Sequence, residues 1–474
     1  MMTTSDICII GGGPAGSVLG ARLAQFGWSV CLVERAKFPR RHLGESLTPG
    51  VMPLLESIGA GPAIERAGYP RVRKVSVHWE EERVREDPGG LGMLVDRGHF
   101  DRLLLEHARA SGVRVLQPAT VKKLQRRGGG WSVAVSEKGR VTELEVRFVA
   151  DASGRAGVLR RSHARTGPKT LALHAYWTGE GLPVDPRIEA GADAWYWGVP
   201  LPGGLYNTLV FLDPRDLRAM GGTLETNFHE LIAASSLLPP GVKARLSGPI
   251  QATDATPYLD EECVTEDSIK VGDAALAVDP LSSSGVQKAI QSALAGSVVV
   301  NTLLHRPWAR ESARQFYRNS LGESSRKHRD WARGHYAQVA ASRASRFWRE
   351  RAEAAPSPES VLPELEVAVL RDTPLELSPE AAIVELPCVV DRFVEVRSAV
   401  AFPALDGPVA YLGNLELAPL LRGMRSGMTP RQLVHSWAPR VPPPRGVEIA
   451  RWLVSRRLLV PQAGVPVRTE RGAA

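Results

Sequence analysis

The sequence predicts an α/β protein: a Rossmann-like, doubly wound parallel sheet, an antiparallel β domain, Arg-rich helices and a small C-terminal winged-helix-like module. Three observations carry this. An apolar run at residues 6–10 passes directly into Gly-Gly-Gly-Pro-Ala-Gly, the pattern changes to period-two alternation between residues 171 and 212, and a strand-to-helix transition returns at residues 269–284. A chain of 474 residues, 43% hydrophobic and 23% charged, has ordinary globular composition and length for about three domains.

Residues 6–10 are partly β-branched, residues 17–26 space small and apolar side chains helically, and a second run at 29–33 ends on Glu34. That is a βαβ unit, and units of this kind in series imply a parallel sheet. A helix is predicted over 100–111 from Phe100, Leu103, Leu104, His107 and Ala108, with strands at 113–116 and 143–150, the latter ending in Asp151-Ala-Ser-Gly. Leu173, Ala175 and Trp177, then Trp195, Trp197 and Val199, then residues 208–212, alternate as in an antiparallel sheet with one face covered. A helix follows over 286–304, an Arg-rich helical stretch over 306–354, and a proline-rich break at 356–363. In the terminal module, Thr429 before Pro430 caps one helix, and Ile449, Ala450, Leu453, Val454 and Leu458 mark another at 447–459.

Lys plus Arg number 59 against 51 Asp plus Glu, a net charge of +8. Between positions 305 and 351, eleven arginines and Lys327 face four carboxylates, so this one stretch accounts for the whole excess. The basic residues interleave with Tyr317, Trp331, Tyr336, Phe347 and Trp348, as on a solvated helix face or a rim that docks an acidic protein or peptide. The terminal module concentrates few basic residues beyond Arg451, Arg456 and Arg457, which disfavours nucleic acid and leaves peptide binding or dimerisation. Cys8, Cys31, Cys263 and Cys388 form no CxxC pair, so they read as buried thiols without a metal, in a reducing compartment. No run approaches about 18 apolar residues and no signal segment opens the chain, so a cytoplasmic protein without membrane contact is expected.

Gly11-x-Gly13-x-x-Gly16 sits between a strand and a helix, with Glu34 downstream to accept from ribose hydroxyls. The pyrophosphate would rest on the helix N-terminus at Pro14 and Ala15. Two further segments select FAD over NAD. One is Phe38-Pro-Arg-Arg-His-Leu-Gly-Glu-Ser46, which with Arg35 brings Arg41, Glu45 and Ser46; the other is the late Gly272-Asp273, whose carboxylate suits ribityl hydroxyls. Asp151 joins the cofactor set, and the helix beginning near Val286 directs its dipole at the ring. The expected division is an FAD-binding domain over 1–75, 96–170 and 250–304, a substrate domain over 76–95 and 171–249, the Arg-rich region over 305–355, and linker plus module over 356–474.

The FPRRHLGES segment, Trp195-Tyr-Trp-Gly-Val-Pro200 and Gly272-Asp-Ala-Ala-Leu-Ala-Val-Asp-Pro-Leu-Ser-Ser-Ser-Gly285 together resemble the halogenase-like branch of FAD monooxygenases over about residues 1–350. The likeness is greatest to the monooxygenases of tryptophylquinone cofactor biogenesis. It implies hydroxylation of an aromatic ring through a flavin C4a-hydroperoxide, on a small molecule or a peptidyl tryptophan. Reducing equivalents would come from a flavin reductase or from NAD(P)H, since no second Gly-x-Gly-x-x-Gly is present. Pro280, Ser283, Ser284 and Gly285 would approach the isoalloxazine, Trp79, Trp195 and Trp197 would wall the substrate, and His78 and His174 would assist proton transfer. A halogenase of an indole, pyrrole or phenol is the alternative, with Lys74 as its lysine. The family register, however, falls on Val72, which turns the reading toward hydroxylation. An isoprenoid reductase, and a flavin-bearing regulatory protein, are further alternatives.

Overall fold

The computed structural model describes residues 3–40, 42–86, 90–159, 163–352 and 372–462. The chain forms two compact units, Met1–Pro356 and Ser357–Ala474. In the first, Thr3–Ile10 lies parallel to Val30–Val33 on one side and to Arg140–Asp151 on the other. Arg114–Leu116 and Ser268–Lys270 extend the sheet in parallel. Ile7, Cys8, Ile9 and Ile10 are all buried, as a strand covered on both faces requires. The sheet is not wholly parallel: Ala119–Arg127, Gly130–Glu137 and Arg140–Asp151 form an antiparallel meander. Its two turns place Gly128, Gly129, Lys138 and Gly139 at positive φ, the backbone that tight hairpins need.

Six helices of this unit bear on the site: α1 (Pro14–Gln25), α2 (Arg97–Ala110), α3 (Leu224–Ala233), α4 (Gly285–His305), α5 (Arg310–Ser342) and α6 (Arg346–Ala352). Helix α2 begins three residues before its apolar pattern does, because the Asp96 side chain accepts from the backbone N–H groups of Gly98 and His99.

The second sheet runs in the order Lys243–Leu246, Leu171–Glu180, Leu205–Leu212, Ala194–Leu201, Arg187–Ala190, Lys74–His78, Glu82–Glu86, with Gln251–Asp254 also on Leu171–Glu180. It is antiparallel except where Lys74–His78 meets Arg187–Ala190. Both faces are covered, which corrects the one-sided expectation. Leu173, Ala175 and Trp177 pack with Phe228 and Ile232 of α3, whereas Trp195, Leu209 and Phe211 of the opposite face join a core with Ala332, Tyr336, Val339, Phe347 and Trp348 of α5 and α6. The Arg-rich helices are therefore structural on one side. Several of their arginines pair on the other, Arg314 and Arg318 with Glu311 and Arg333 with Asp330.

In the second unit, Leu375–Leu377 pairs with Leu459–Pro461, and a long hairpin, Ala382–Val390 with Phe393–Ala401, precedes the helices Leu417–Arg422, Pro430–Trp437 and Pro443–Ser455. Thr429 and Gln432 complete a capping box at Pro430, as its Thr-Pro sequence predicts. The helix expected at 447–459 starts at Pro443 and stops at Ser455, so that Leu459 can enter a strand. With the hairpin before the helices, and no second hairpin after the last one among the described residues, the topology does not carry the winged-helix expectation. The proline-rich break and the start of the linker lie outside the described residues. All four cysteines are free; Cys388 is only half-buried, because it lies on the hairpin rather than in a core. Among the described residues no helix is long and apolar enough to cross a membrane and no metal-ligating cluster occurs.

Candidate active site

The two large sheets of the first unit contribute to one cavity of about 920 Å³. Gly11, Gly13, Pro14 and Ala15 supply one wall, where α1 opens without a side-chain cap and leaves its first-turn amides free for an anion. Gly11 has φ +109°, and Gly16 lets α1 meet the strand: an added Cβ there would lie 1.9 Å from the Gly11 carbonyl oxygen. Glu34 lines the same wall, its two carboxylate oxygens accepting the N–H groups of Gly12 at 2.6 Å and Ala36 at 2.7 Å. Helix α4 also begins uncapped, with Gly285 and Val286 on the cavity. A second helix dipole thus points into the same space.

The turn before α4 is held from below. Asp279 accepts from the Leu281 N–H at 3.0 Å, and the Tyr336 hydroxyl of α5 donates to both its oxygens at 3.0 and 3.2 Å. This presents Pro280, Leu281 and Ser283 to the cavity, with Ser283 in the left-handed region at φ +50°. Burial raises the Asp279 carboxyl above its ordinary value, although these hydrogen bonds and Arg351 oppose the shift. Asp273 also faces the cavity. Burial works against its ionisation, yet the Lys288 ammonium at 2.7 Å, with Arg155 and His42, holds it below the usual carboxylate range.

Ala172, Ile188, Trp195, Trp197, Leu209 and Phe211 form an apolar wall, with Trp195 stacked on Phe211 at 3.8 Å. Where it meets the glycine-rich walls, Glu45 accepts from the Tyr176 hydroxyl at 2.7 Å and the Asn207 amide at 3.2 Å. Burial raises the Glu45 carboxyl. Replacing Glu45 by Ala should cost about 1–3 kcal/mol by removing the acceptor of both buried hydrogen bonds. A denaturant midpoint equal to wild type would refute that.

Of the residues singled out in the sequence, Gly11, Gly13, Pro14, Ala15, Glu34, Arg35, Glu45, Ser46, Trp195, Trp197, Gly272, Asp273, Pro280, Ser283, Gly285 and Val286 come together on this cavity. Others do not. Asp151 turns back on its own loop, accepting from Ser153 and the Leu159 N–H. The Ser284 hydroxyl donates to the Ser282 carbonyl. Trp79 is core, its indole N–H donating to the His335 carbonyl and its ring edge-on to Trp348. His78 lies 3.4 Å from the Ser236 hydroxyl, and His174 is buried with Nδ1 unpartnered, its pKa pushed down to about 4, so it is neutral at working pH. Lys74 stands opposite Glu86 in the strand register at the end of the sheet, and Val72 is buried against Leu94 and Val199. Arg41 lies outside the described residues. Sequence reasoning missed Arg40, His42, Arg97 and Arg155 on the cavity, and Lys288 behind it. Two of these carried a signal. Arg97 and Lys288 each put a cation in the first turn of a helix, where the dipole disfavours it.

A family model described as an FAD binding domain matches residues 4–178. The tryptophan 2-halogenase of Chondromyces crocatus is 32% identical over 338 residues, 66% of this chain and 64% of that protein, so the match spans less than two thirds of the relative. The 1H-pyrrole-2-carbonyl-[peptidyl-carrier protein] chlorinase of Pseudomonas fluorescens is 27% identical, over 65% of this chain and 78% of its own. Among solved structures, the peptidyl tryptophan dihydroxylase QhpG, essential for tryptophylquinone cofactor biogenesis, is 27% identical with a TM-score of 0.75, covering 96% of this chain and 99% of that one. The flavin-dependent halogenase CmlS, 20% identical with a TM-score of 0.78 over 100% and 99%, shares the fold.

Proposed function

We propose that this chain, a member of the halogenase-like FAD monooxygenases, hydroxylates an aromatic ring, with a tryptophan in a peptide or protein as the substrate class. The observation that carries the reading is the cavity wall: aromatic and aliphatic on the substrate side, with no lysine among its described residues. The likeness to QhpG along almost the whole of both chains supports the peptidyl substrate.

The residues fit FAD. The uncapped first turn of α1, where nothing lies closer than 3.8 Å to a Cβ built on Gly13, would take the pyrophosphate, Glu34 the ribose, and Asp273 the ribityl hydroxyls. Bound and reduced, the cofactor supplies oxygen activation, one oxygen atom going to the ring and the other to water. Pro280, Ser283 and Gly285 would flank it through backbone held by Asp279. Trp195, Trp197, Leu209 and Phe211 would orient the substrate ring and exclude water. Electrons would come from a separate flavin reductase or from NAD(P)H bound transiently.

Halogenation is the second reading, favoured by the 32% identity to a tryptophan 2-halogenase. Incubation of purified protein with FAD, a reducing system, oxygen, halide and tryptophan-containing peptides, followed by mass spectrometry, separates the two. A gain of oxygen alone is expected, and Lys74→Ala should leave its rate within about twofold, as for a half-buried residue that does not line the cavity. Halogen in the product, lost in K74A, would replace this reading. Turnover that persists without oxygen would point instead to a reductase.

A further inference from the structure

Lys288 is the fourth residue of α4, and its side chain is 2% exposed. Two physical terms oppose a cation there. An ammonium loses its hydration on burial, and the first turn of a helix is the positive end of its dipole. A methionine or leucine would fill the same space without either cost. What offsets them is specific: Nζ donates to Asp273 Oδ1 at 2.7 Å and to the Leu276 carbonyl oxygen. The Asp273 side chain is 39% exposed and lines the cavity, whereas Lys288 does not reach it. Gly272, at φ +62°, packs this turn against α1, where an added Cβ would sit 2.8 Å from Ala15 Cβ. The backbone of Asp273 is thereby fixed, and the remaining freedom is in its carboxylate.

We propose that Lys288 is a positioning residue for the cofactor, acting through Asp273, so that FAD affinity depends on a buried ammonium that FAD does not touch. The inference rests on the flavoprotein reading above. Asp273 is faced by Lys288 from α4, by Arg155 from the turn Gly154–Ala156 and by His42 from the loop that follows Val30–Val33. Of these, Lys288 alone both approaches within hydrogen-bond distance and is fully buried, so it dominates the ionisation and the aim of the carboxylate. Without it, Asp273 loses the nearest positive charge that holds its carboxyl down, and its proton is retained to higher pH.

The test is titration of FAD into the flavin-free full-length protein, followed by flavin fluorescence between about pH 5 and 8. Wild type should bind with nearly constant affinity across this range. Lys288→Gln, which keeps a donor but removes the charge, should bind about 10- to 100-fold more weakly at neutral pH and weaken further in acid. Asp273→Asn should show a comparable loss with no pH dependence. The double variant should be no weaker than the weaker single one, because both act on one contact. A folded K288Q protein with wild-type affinity and a flat pH profile would overturn the proposal; so would D273N at wild-type affinity, which keeps the test open if K288Q fails to fold. A wild-type protein that binds no FAD would overturn the flavoprotein reading instead.

Discussion

Gly16→Ala should lower the melting temperature of the flavin-free protein, whereas Gly13→Ala should leave it unchanged and abolish the rise that FAD produces. The two glycines belong to one motif but meet different surroundings. A Cβ on Gly16 would fall 1.9 Å from the Gly11 carbonyl oxygen and 3.1 Å from Ala152 Cβ. Neither neighbour can give way, since Gly11 is itself pressed onto the Ala152 carbonyl, where its own Cβ would lie at 2.4 Å. Helix α1 must lift from the sheet, a cost of about 1–3 kcal/mol or more against a total stability of about 5–15 kcal/mol. On Gly13 the nearest heavy atom is Arg40 Nη2 at 3.8 Å, so a methyl group makes ordinary contact and fits without displacing anything. In the flavoprotein reading, the methyl would occupy the place where a pyrophosphate comes close to backbone. Thermal melts with and without saturating FAD read both effects, because a ligand stabilises by its affinity for the native state. G13A stabilised by FAD as fully as wild type, or G16A with an unaltered apo transition, would contradict this assignment.

The same contrast explains how much the sequence made legible. The opening βαβ unit could be read because strand, glycine turn, helix and Glu34 are contiguous, and each has a local physical cause. The antiparallel meander was missed although Gly128-Gly129 and Lys138-Gly139 announce its turns, since an apolar run alone does not give strand direction. In the second sheet, alternation was right but its meaning was incomplete. Leu173 and Trp195 both sit in alternating runs, yet they face opposite covers, one from α3 and the other from α5 and α6. Period two separates faces and is silent on what buries each. The same gap misplaced Trp79 and His174: the residue types suited a pocket, but the partners that make them core, Trp348 and Tyr176, are remote in sequence or carry no spacing signal. Cavity-lining residues concentrated in motifs were legible, and support made through a second residue, such as Tyr336 to Asp279, was not.

Tyr336→Phe should destabilise the protein little in acid and by about 1–3 kcal/mol at neutral pH, with a fall in product formation. The reasoning begins at Asp279, whose carboxylate is buried and faced by the Leu281 N–H, the Tyr336 hydroxyl and the Arg351 guanidinium. Burial holds its carboxyl above the unfolded value. A group with a raised folded pKa binds its proton longer in the native state, so its contribution to stability is greatest below the unfolded carboxylate pKa and declines as pH rises through the folded one. The Tyr336 hydroxyl limits that decline by donating to the ionised form. Phenylalanine removes the donor without changing the ring that packs beside Trp348. The folded pKa of Asp279 then moves further up, and the loss of stability appears only once the carboxylate must ionise. Because Asp279 sets the turn carrying Pro280, Leu281 and Ser283 to the cavity, the same change should lower turnover more than it raises the substrate KM. Melting curves of wild type and Y336F between about pH 4 and 8 decide the matter. A difference equal at every pH would mean that Tyr336 matters only as packing, and would detach α5 from the chemistry of the turn it supports.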